Sequence, residues 1–205
     1  MKIRWGIIGT GNIAHTFAGD LRESQKSELT AIASRSIDRA ENFANEFGMP
    51  HFYDSVEQML EEKVCDVVYI ATPHSQHSRD MLFCLANGHH VLCEKPITVN
   101  ASQLEEAIAE HASQQLFCME AYWTLFLPAV AKARQWVQDG QIGELHLIQA
   151  NFGKRFPYDP KGRLYNPQLA GGALLDIGIY PCMFGSLMFD SEAESVHAVG
   201  VIGST

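Results

Sequence analysis

The sequence has no block of basic residues. Its formal net charge is −9 over 205 residues, which argues against nucleic acid and anionic membrane as partners. Any positive charge that meets a phosphate therefore has to be local. There is no C-x-x-C pair among the five cysteines, and three of them lie in or beside apolar runs. An odd count in that setting reads as reduced, mostly buried thiols of a cytoplasmic protein, not as a disulfide framework. No signal-peptide pattern opens the chain: Met1-Lys2-Ile3-Arg4-Trp5 leads straight into a strand. No apolar run is read as approaching the ~20 residues that span a bilayer, and there is no internal repeat or low-complexity tract. What is present, 46% hydrophobic and 19% charged residues, suits a globular protein able to bury a core.

Periodicity alternates between strand and helix through the first 120 residues. Strands are expected at 2–8, 29–34, 67–70, 90–93 and 116–119. Helices are expected at 12–22, with Ile13, Phe17, Ala18 and Leu21 inward, then after caps at Asp38 and Ser55, at 75–86, and from Asn100 or Ser102 to Ala112. Strands separated by helices of about a dozen residues predict an α/β fold with a doubly wound parallel sheet over 1–120. Beyond that point the rhythm changes. A helix over 128–138, an alternating strand over 145–152, a polar loop over 154–168, a helix from Gly172 to about Met188 and a strand over 195–202 predict a second domain, 121–205. Two strand signals make a marginal sheet, so this domain is expected to be incomplete or completed by partner chains.

Gly9, Gly11 and Ala14 in Gly9-Thr10-Gly11-Asn12-Ile13-Ala14 match G-x-G-x-x-A between a strand and a helix. Gly9 permits a tight turn, Gly11 lets backbone approach a pyrophosphate, and Ala14 allows helix–strand packing. The helix start directs its N–H groups at the phosphates. The second strand ends in Ala33-Ser34-Arg35-Ser36, with no acid for the ribose hydroxyls of NAD. Arg35 can pair with a 2′-phosphate and Ser34 can hydrogen-bond it, which favours NADP. Pairing of Arg35 with Asp38 is the competing reading, and Asp38 keeps NAD open. Thr72, Pro73 and His74 follow a strand and are expected on the nicotinamide side. His77 joins His74 as a polar residue of the next helix start, since no third residue at suitable spacing completes a metal site. Glu94-Lys95-Pro96 ends another strand, which places Lys95 where nicotinamide and substrate meet.

These residues resemble the glucose–fructose oxidoreductase / inositol dehydrogenase / rhizopine catabolism (Gfo/Idh/MocA) family. The resemblance rests on the glycine string, Ala71-Thr72-Pro73, Val91-Leu92-Cys93-Glu94-Lys95-Pro96 and the run from Gly171 to Tyr180. Met119-Glu120-Ala121-Tyr122-Trp123 and Asn151-Phe152-Gly153-Lys154-Arg155 are similar to the branch of dimeric dihydrodiol dehydrogenases and NADP-dependent D-xylose dehydrogenases. The resemblance implies a Rossmann domain, then an α+β domain with an open, mainly antiparallel sheet often used for homodimers or higher homo-oligomers. It also implies that Lys95 is catalytic. Tyr180 stands where many members carry a histidine.

Asp176 and Tyr180 are four apart on an expected helix and so share a face. Tyr180 is the expected acid/base, with an ammonium such as Lys95 favouring its phenolate. Asp176 would hold a second substrate hydroxyl or orient Lys95. Trp123, Phe152 and Phe156 would wall the apolar side of the pocket, or pack in the core. The expected activity is hydride transfer between NADP(H) and a sugar, polyol or diol. An NAD-retaining glycosidase of the same family and a non-catalytic nucleotide-binding protein are the competing readings.

Overall fold

The computed structural model describes residues 1–200 and divides into two units, Met1–Ala121 and Tyr122–Thr205. The first is a six-stranded parallel sheet. Its strands are β1 (Ile3–Ile8), β2 (Ser27–Ala33), β3 (His51–Tyr53), β4 (Val67–Ile70), β5 (His90–Glu94) and β6 (Cys118–Ala121). Their order is β3-β2-β1-β4-β5-β6, and every pairing is parallel. This is the doubly wound order in which the chain reverses direction between β1 and β4, opening a crevice at their carboxyl ends.

Helices α1 (Asn12–Arg22), α2 (Ile37–Phe47), α3 (Val56–Glu61), α4 (His74–Ala86) and α5 (Ala101–Gln114) connect the strands. Two apolar clusters form, and both draw on the sheet. One gathers Ile7, Ile32, Tyr69, Ala14, Ala18 and Phe43; the other gathers Ile70, Val91, Met81, Cys84 and Leu85. Phe17 stacks on Tyr69 with ring centroids 3.8 Å apart. Ile13 does not join them: it is 44% exposed, so the buried stripe of α1 is Ala14 and Ala18.

Local signals account for most helix ends. Ser55 Oγ and Asn100 Oδ1 accept from Gln58 N and Gln103 N, the side-chain caps that N-termini need. Helix α2 starts two residues earlier than expected, with Ser36 as its cap and Asp38 inside its first turn. It stops at Gly48, whose φ of 70° is left-handed. Strand β3 was not expected, since three residues carry too little alternation to register.

The second unit holds a 3₁₀ turn (Trp123–Phe126), α6 (Pro128–Gln138), a 3₁₀ turn (Pro167–Leu169), a π-helical stretch (Leu174–Gly178) and α7 (Ile179–Phe189). Arg134 on α6 pairs with Asp190 beyond α7 at 3.0 Å. The expected strand at 145–152 is not formed, nor is there any strand in this unit among the described residues. Alternation alone does not make a strand without a neighbour to complete its ladder, and Leu147 and Phe152 are exposed. Of the expected strand 195–202, residues 195–200 are irregular, and 201–202 lie outside the described residues. Pro167–Phe189 is, by length and composition, apolar enough to cross a membrane, with mean hydropathy 1.4, which corrects the expectation of no such run. It is not one continuous helix, because Ala170 (φ 54°) and Gly172 (φ 122°) interrupt it.

Candidate functional site

The crevice in the first unit is built from four strand ends. At the end of β1, Gly9 has φ 103°, and a Cβ there would lie 2.7 Å from the Ala71 carbonyl oxygen. The turn can therefore pass β4 only with glycine. Gly11 caps α1 without a side-chain hydrogen bond, and a Cβ on it would meet nothing within 4 Å. Gly11, Asn12 and Ile13 are exposed, and Thr10 lies beside His15, Arg39, Asn42 and Glu46 in a shallow surface cleft. Open space before an uncapped helix start is what a pyrophosphate requires. At the end of β2, Ser34 donates its N–H to Tyr53 O. Arg35 is exposed and forms no ion pair with Asp38 or any other described carboxylate. The competing surface-pair reading is thus absent, and these residues fit a 2′-phosphorylated dinucleotide.

At the end of β4, Thr72 Oγ1 donates to Asp80 Oδ2 at 2.8 Å, and Pro73 precedes α4. His74 is buried, in edge contact with His77 at 5.7 Å between ring centroids. His77, expected on the cofactor surface, is fully buried instead. Its Nδ1 lies 2.8 Å from Pro96 O and its Nε2 2.8 Å from Thr72 O, so both nitrogens face protein backbone. The helix turns His77 inward between the loops that follow β4 and β5, a placement that local polarity cannot reveal. Among the described residues no group of three or more metal-ligating side chains is assembled.

At the end of β5, Tyr69 donates its hydroxyl proton to Glu94 Oε1 at 2.6 Å, and Lys95 N–H points at Glu94 Oε2 at 3.3 Å. Burial raises the Glu94 carboxyl above its ordinary value; the Tyr69 hydroxyl, the Lys95 N–H and the Lys95 charge oppose that rise. Burial likewise raises Asp80, against the Thr72 hydrogen bond and the Arg79 charge. Lys95 is half-buried, and its peptide bond to Pro96 is cis. Both Glu94 carboxylate oxygens are thus engaged, one by the Tyr69 hydroxyl and the other by the Lys95 N–H.

The second unit gathers the other expected residues around Tyr180, the second residue of α7. Trp123 Nε1 donates to Tyr180 Oη at 3.2 Å, and buried Tyr122 donates its hydroxyl proton to Tyr180 O at 3.2 Å. Phe152 meets the Tyr180 ring edge to face at 5.1 Å. Phe156, the third aromatic, instead sits under Lys154 Nζ at 5.1 Å. Asp176 is buried and pairs with Arg163 at 3.0 Å. Arg163 was not anticipated. The chain closes on itself to bring it there: Gly171 N donates to Asn166 O and Gly172 N to Leu164 O. A Cβ on Gly171 would lie 2.9 Å from Arg163 O. The two glycines of the Gly-Gly-Ala-Leu-Leu-Asp run were the available signal, since a closed loop must return near its start. Asp176 lies in the π-helical stretch, a winding that recurs at functional sites.

Comparison with known proteins adds three kinds of likeness. The family described as "Oxidoreductase family, NAD-binding Rossmann fold" matches residues 3–122, and "GFO/IDH/MocA C-terminal domain" matches 130–203. The second match covers the apolar Pro167–Phe189 segment. Trans-1,2-dihydrobenzene-1,2-diol dehydrogenase of Mus musculus is 42% identical over 208 residues, covering 100% of this chain and 62% of the relative. The Homo sapiens protein of that name is 41% identical, covering 98% of this chain and 60% of the relative. The chain thus spans about 60% of the length of these curated relatives. Among solved structures, a 3-ketoreductase from Actinomadura kijaniata in complex with NADP and TDP-benzene aligns with TM-score 0.81 at 33% identity, over 92% of this chain and 58% of that one. An aldose-aldose oxidoreductase from Caulobacter crescentus aligns with TM-score 0.82 at 25% identity, over 94% and 59%.

Proposed function

The chain belongs to the GFO/IDH/MocA oxidoreductase family, and from that premise we propose that it works as an NADP-dependent dehydrogenase or reductase. Its substrate would be a sugar, polyol or trans-dihydrodiol bearing a CH–OH group or the matching carbonyl. The observation that carries the cofactor choice is Arg35, an exposed cation without an ion pair among the described residues, at the strand end where an acid would select NAD. The NADP complex of the ketoreductase relative and the names of the dihydrodiol relatives support the same reading. Arg35 also weighs against an NAD-retaining glycosidase, which needs no 2′-phosphate site.

Bound NADP would accept or supply the hydride at the reacting carbon. Gly9 lets the turn pass Ala71 and Gly11 lets the backbone approach the pyrophosphate; the α1 N–H groups would hold the pyrophosphate's charge and Arg35 the 2′-phosphate. Lys95 donates hydrogen bonds to the substrate hydroxyl and favours its alkoxide character as the hydride leaves. In the second unit Tyr180 is the candidate acid/base, since a phenol can take up a proton in oxidation and return it in reduction. The Trp123 N–H, already aimed at its oxygen, helps that oxygen bear negative charge. Asp176, its charge balanced by Arg163, accepts a hydrogen bond from a second substrate hydroxyl. A homo-oligomeric, cytoplasmic enzyme completes the proposal; exposed Phe126, Leu147 and Leu174 and the free cysteines are its supports.

The test is a fluorescence titration with NADPH and with NADH, on the chain and on Arg35→Ala. Tighter NADPH binding, weakened at least ~10-fold by the substitution while NADH is unaffected, fits loss of a charge-assisted contact. Equal binding of both cofactors by the parent chain would refute the NADP assignment.

A further inference from the structure

The loop that presents Lys95 is tied down from three elements. Tyr69 on β4 donates to Glu94 (2.6 Å), His77 on α4 reaches Pro96 O (2.8 Å), and Glu120 on β6 accepts from Ile97 N (2.8 Å). Glu94, Pro96 and Ile97, the residues around Lys95, are therefore each bonded to a side chain from a different element. His77 is the one tie of the three that grips a second loop as well, through Nε2 and Thr72 O at 2.8 Å.

Both partners of the His77 ring are carbonyl oxygens, and carbonyl oxygens only accept. A neutral imidazole carries one N–H. It would make one of these bonds and aim a lone pair at the other oxygen across 2.8 Å. The ring is fully buried, so no bulk water stands in for the missing donor. Only a ring with a proton on each nitrogen donates to both carbonyls. Its surroundings suit that cation. Asp80, one turn along α4, and Glu94, from the Lys95 loop, are carboxyl groups near the ring. Asp80 is itself fixed by Thr72 Oγ1. His74 packs edge-on from the same helix, and Lys95 is the cation beyond Glu94.

We propose that His77 is a positioning residue. As a doubly protonated ring it locks the Glu94–Pro96 loop onto the Thr72–Pro73 turn and so sets where the Lys95 ammonium is presented. Its effect on catalysis rests on the reading of Lys95 given above. The clamp itself does not.

Two measurements decide it. Long-range proton–nitrogen NMR of the ¹⁵N-labelled chain at neutral pH reads the ring state. One imidazole, absent from His77→Gln, is expected to show protons on both nitrogens; a neutral tautomer pattern at His77 overturns the proposal. This arm needs no turnover, and the wild-type spectrum decides it even if the variant folds poorly. Amide exchange in His77→Gln is expected to lose protection at Lys95 and Ile97 while distant β-strand amides keep theirs. Unchanged protection there also overturns the clamp. With a turned-over substrate, His77→Gln is expected to lower kcat at least ~10-fold, the scale of a small misplacement of a reacting group, with KM for NADPH little changed. In a Lys95→Met background it should add less than ~2-fold, since residues acting as a unit are not additive. Multiplying effects would refute action through Lys95. No activity with any diol or sugar would refute the proposed function, and the NMR and exchange arms would still decide the clamp.

Discussion

Gly9→Ala and Gly11→Ala separate folding from binding within one turn. At Gly9 the backbone is held at φ 103°, and an alanine Cβ would meet Ala71 O at 2.7 Å, Ala71 C at 3.0 Å and Thr72 N at 3.4 Å. The neighbours are backbone of the adjoining strand end, so no flexible side chain can yield. The dihedral costs about 1–3 kcal/mol and the overlap about 1–3 more. Together, roughly 2–6 kcal/mol should lower Tm by something on the order of 10 °C. Gly11 has φ −82°, which alanine adopts, and its Cβ would enter open space. There the loss is a helix-cap preference, below about 1 kcal/mol. That open space is where the pyrophosphate is proposed to lie, so Gly11→Ala should weaken NADPH at least ~10-fold, about 1.4 kcal/mol. Urea unfolding and NADPH fluorescence on both variants check this. A Gly11→Ala protein that binds NADPH normally, or one destabilised as much as Gly9→Ala, would refute this division of roles.

Tyr69→Phe removes the hydroxyl donor of buried Glu94 and should destabilise by about 1–3 kcal/mol in urea melts; Tyr69→Phe together with Glu94→Gln should recover part of that. The Asp66 carboxyl is held below its ordinary value first by its hydrogen bond to Arg4. Its contribution is present above the unfolded carboxyl value near 3.8 and is lost as pH falls through the folded one. Asp66→Asn should therefore flatten the acid limb of a Tm–pH profile while lowering Tm near neutrality. Cys182 is exposed, whereas burial pushes the Cys65 and Cys118 thiols up to about 11 and also raises Cys84 and Cys93. Brief iodoacetamide treatment followed by mass spectrometry should modify Cys182 first, and early alkylation of Cys84 or Cys93 would contradict the fold.

The first unit was legible because its elements are marked locally. Strand runs such as Val67–Ile70 are continuous and apolar, and glycines and Ser or Asn caps sit at helix boundaries, so even unaligned spacing placed five of the strands. What escaped was decided by neighbours. His51–Tyr53 is a strand because β2 is there to pair with it. Residues 145–152 alternate as a strand does, yet have no ladder. The ion pair of Asp176 with Arg163 spans 13 residues through a closed loop, beyond the reach of any helical periodicity. Glycines at 171 and 172 hinted at a tight return but not at which cation it carries.

The polar residues near Lys95 show why a site can be read more easily than its supports. Glycines, Arg35 and Lys95 face the crevice, so their chemistry is the chemistry that type and strand position suggest. Glu94, His77 and Asp80 have the same residue types as functional groups, but they are turned inward, and they bond to Tyr69, Thr72 and Pro96. Burial makes such groups costly unless every donor and acceptor is matched. Here the matching partners are the two loops that flank the crevice. A cluster whose hydrogen bonds can be satisfied only when both loops are in place makes loop position part of folding. Lys95 can then be presented in a fixed place without any ligand to order it.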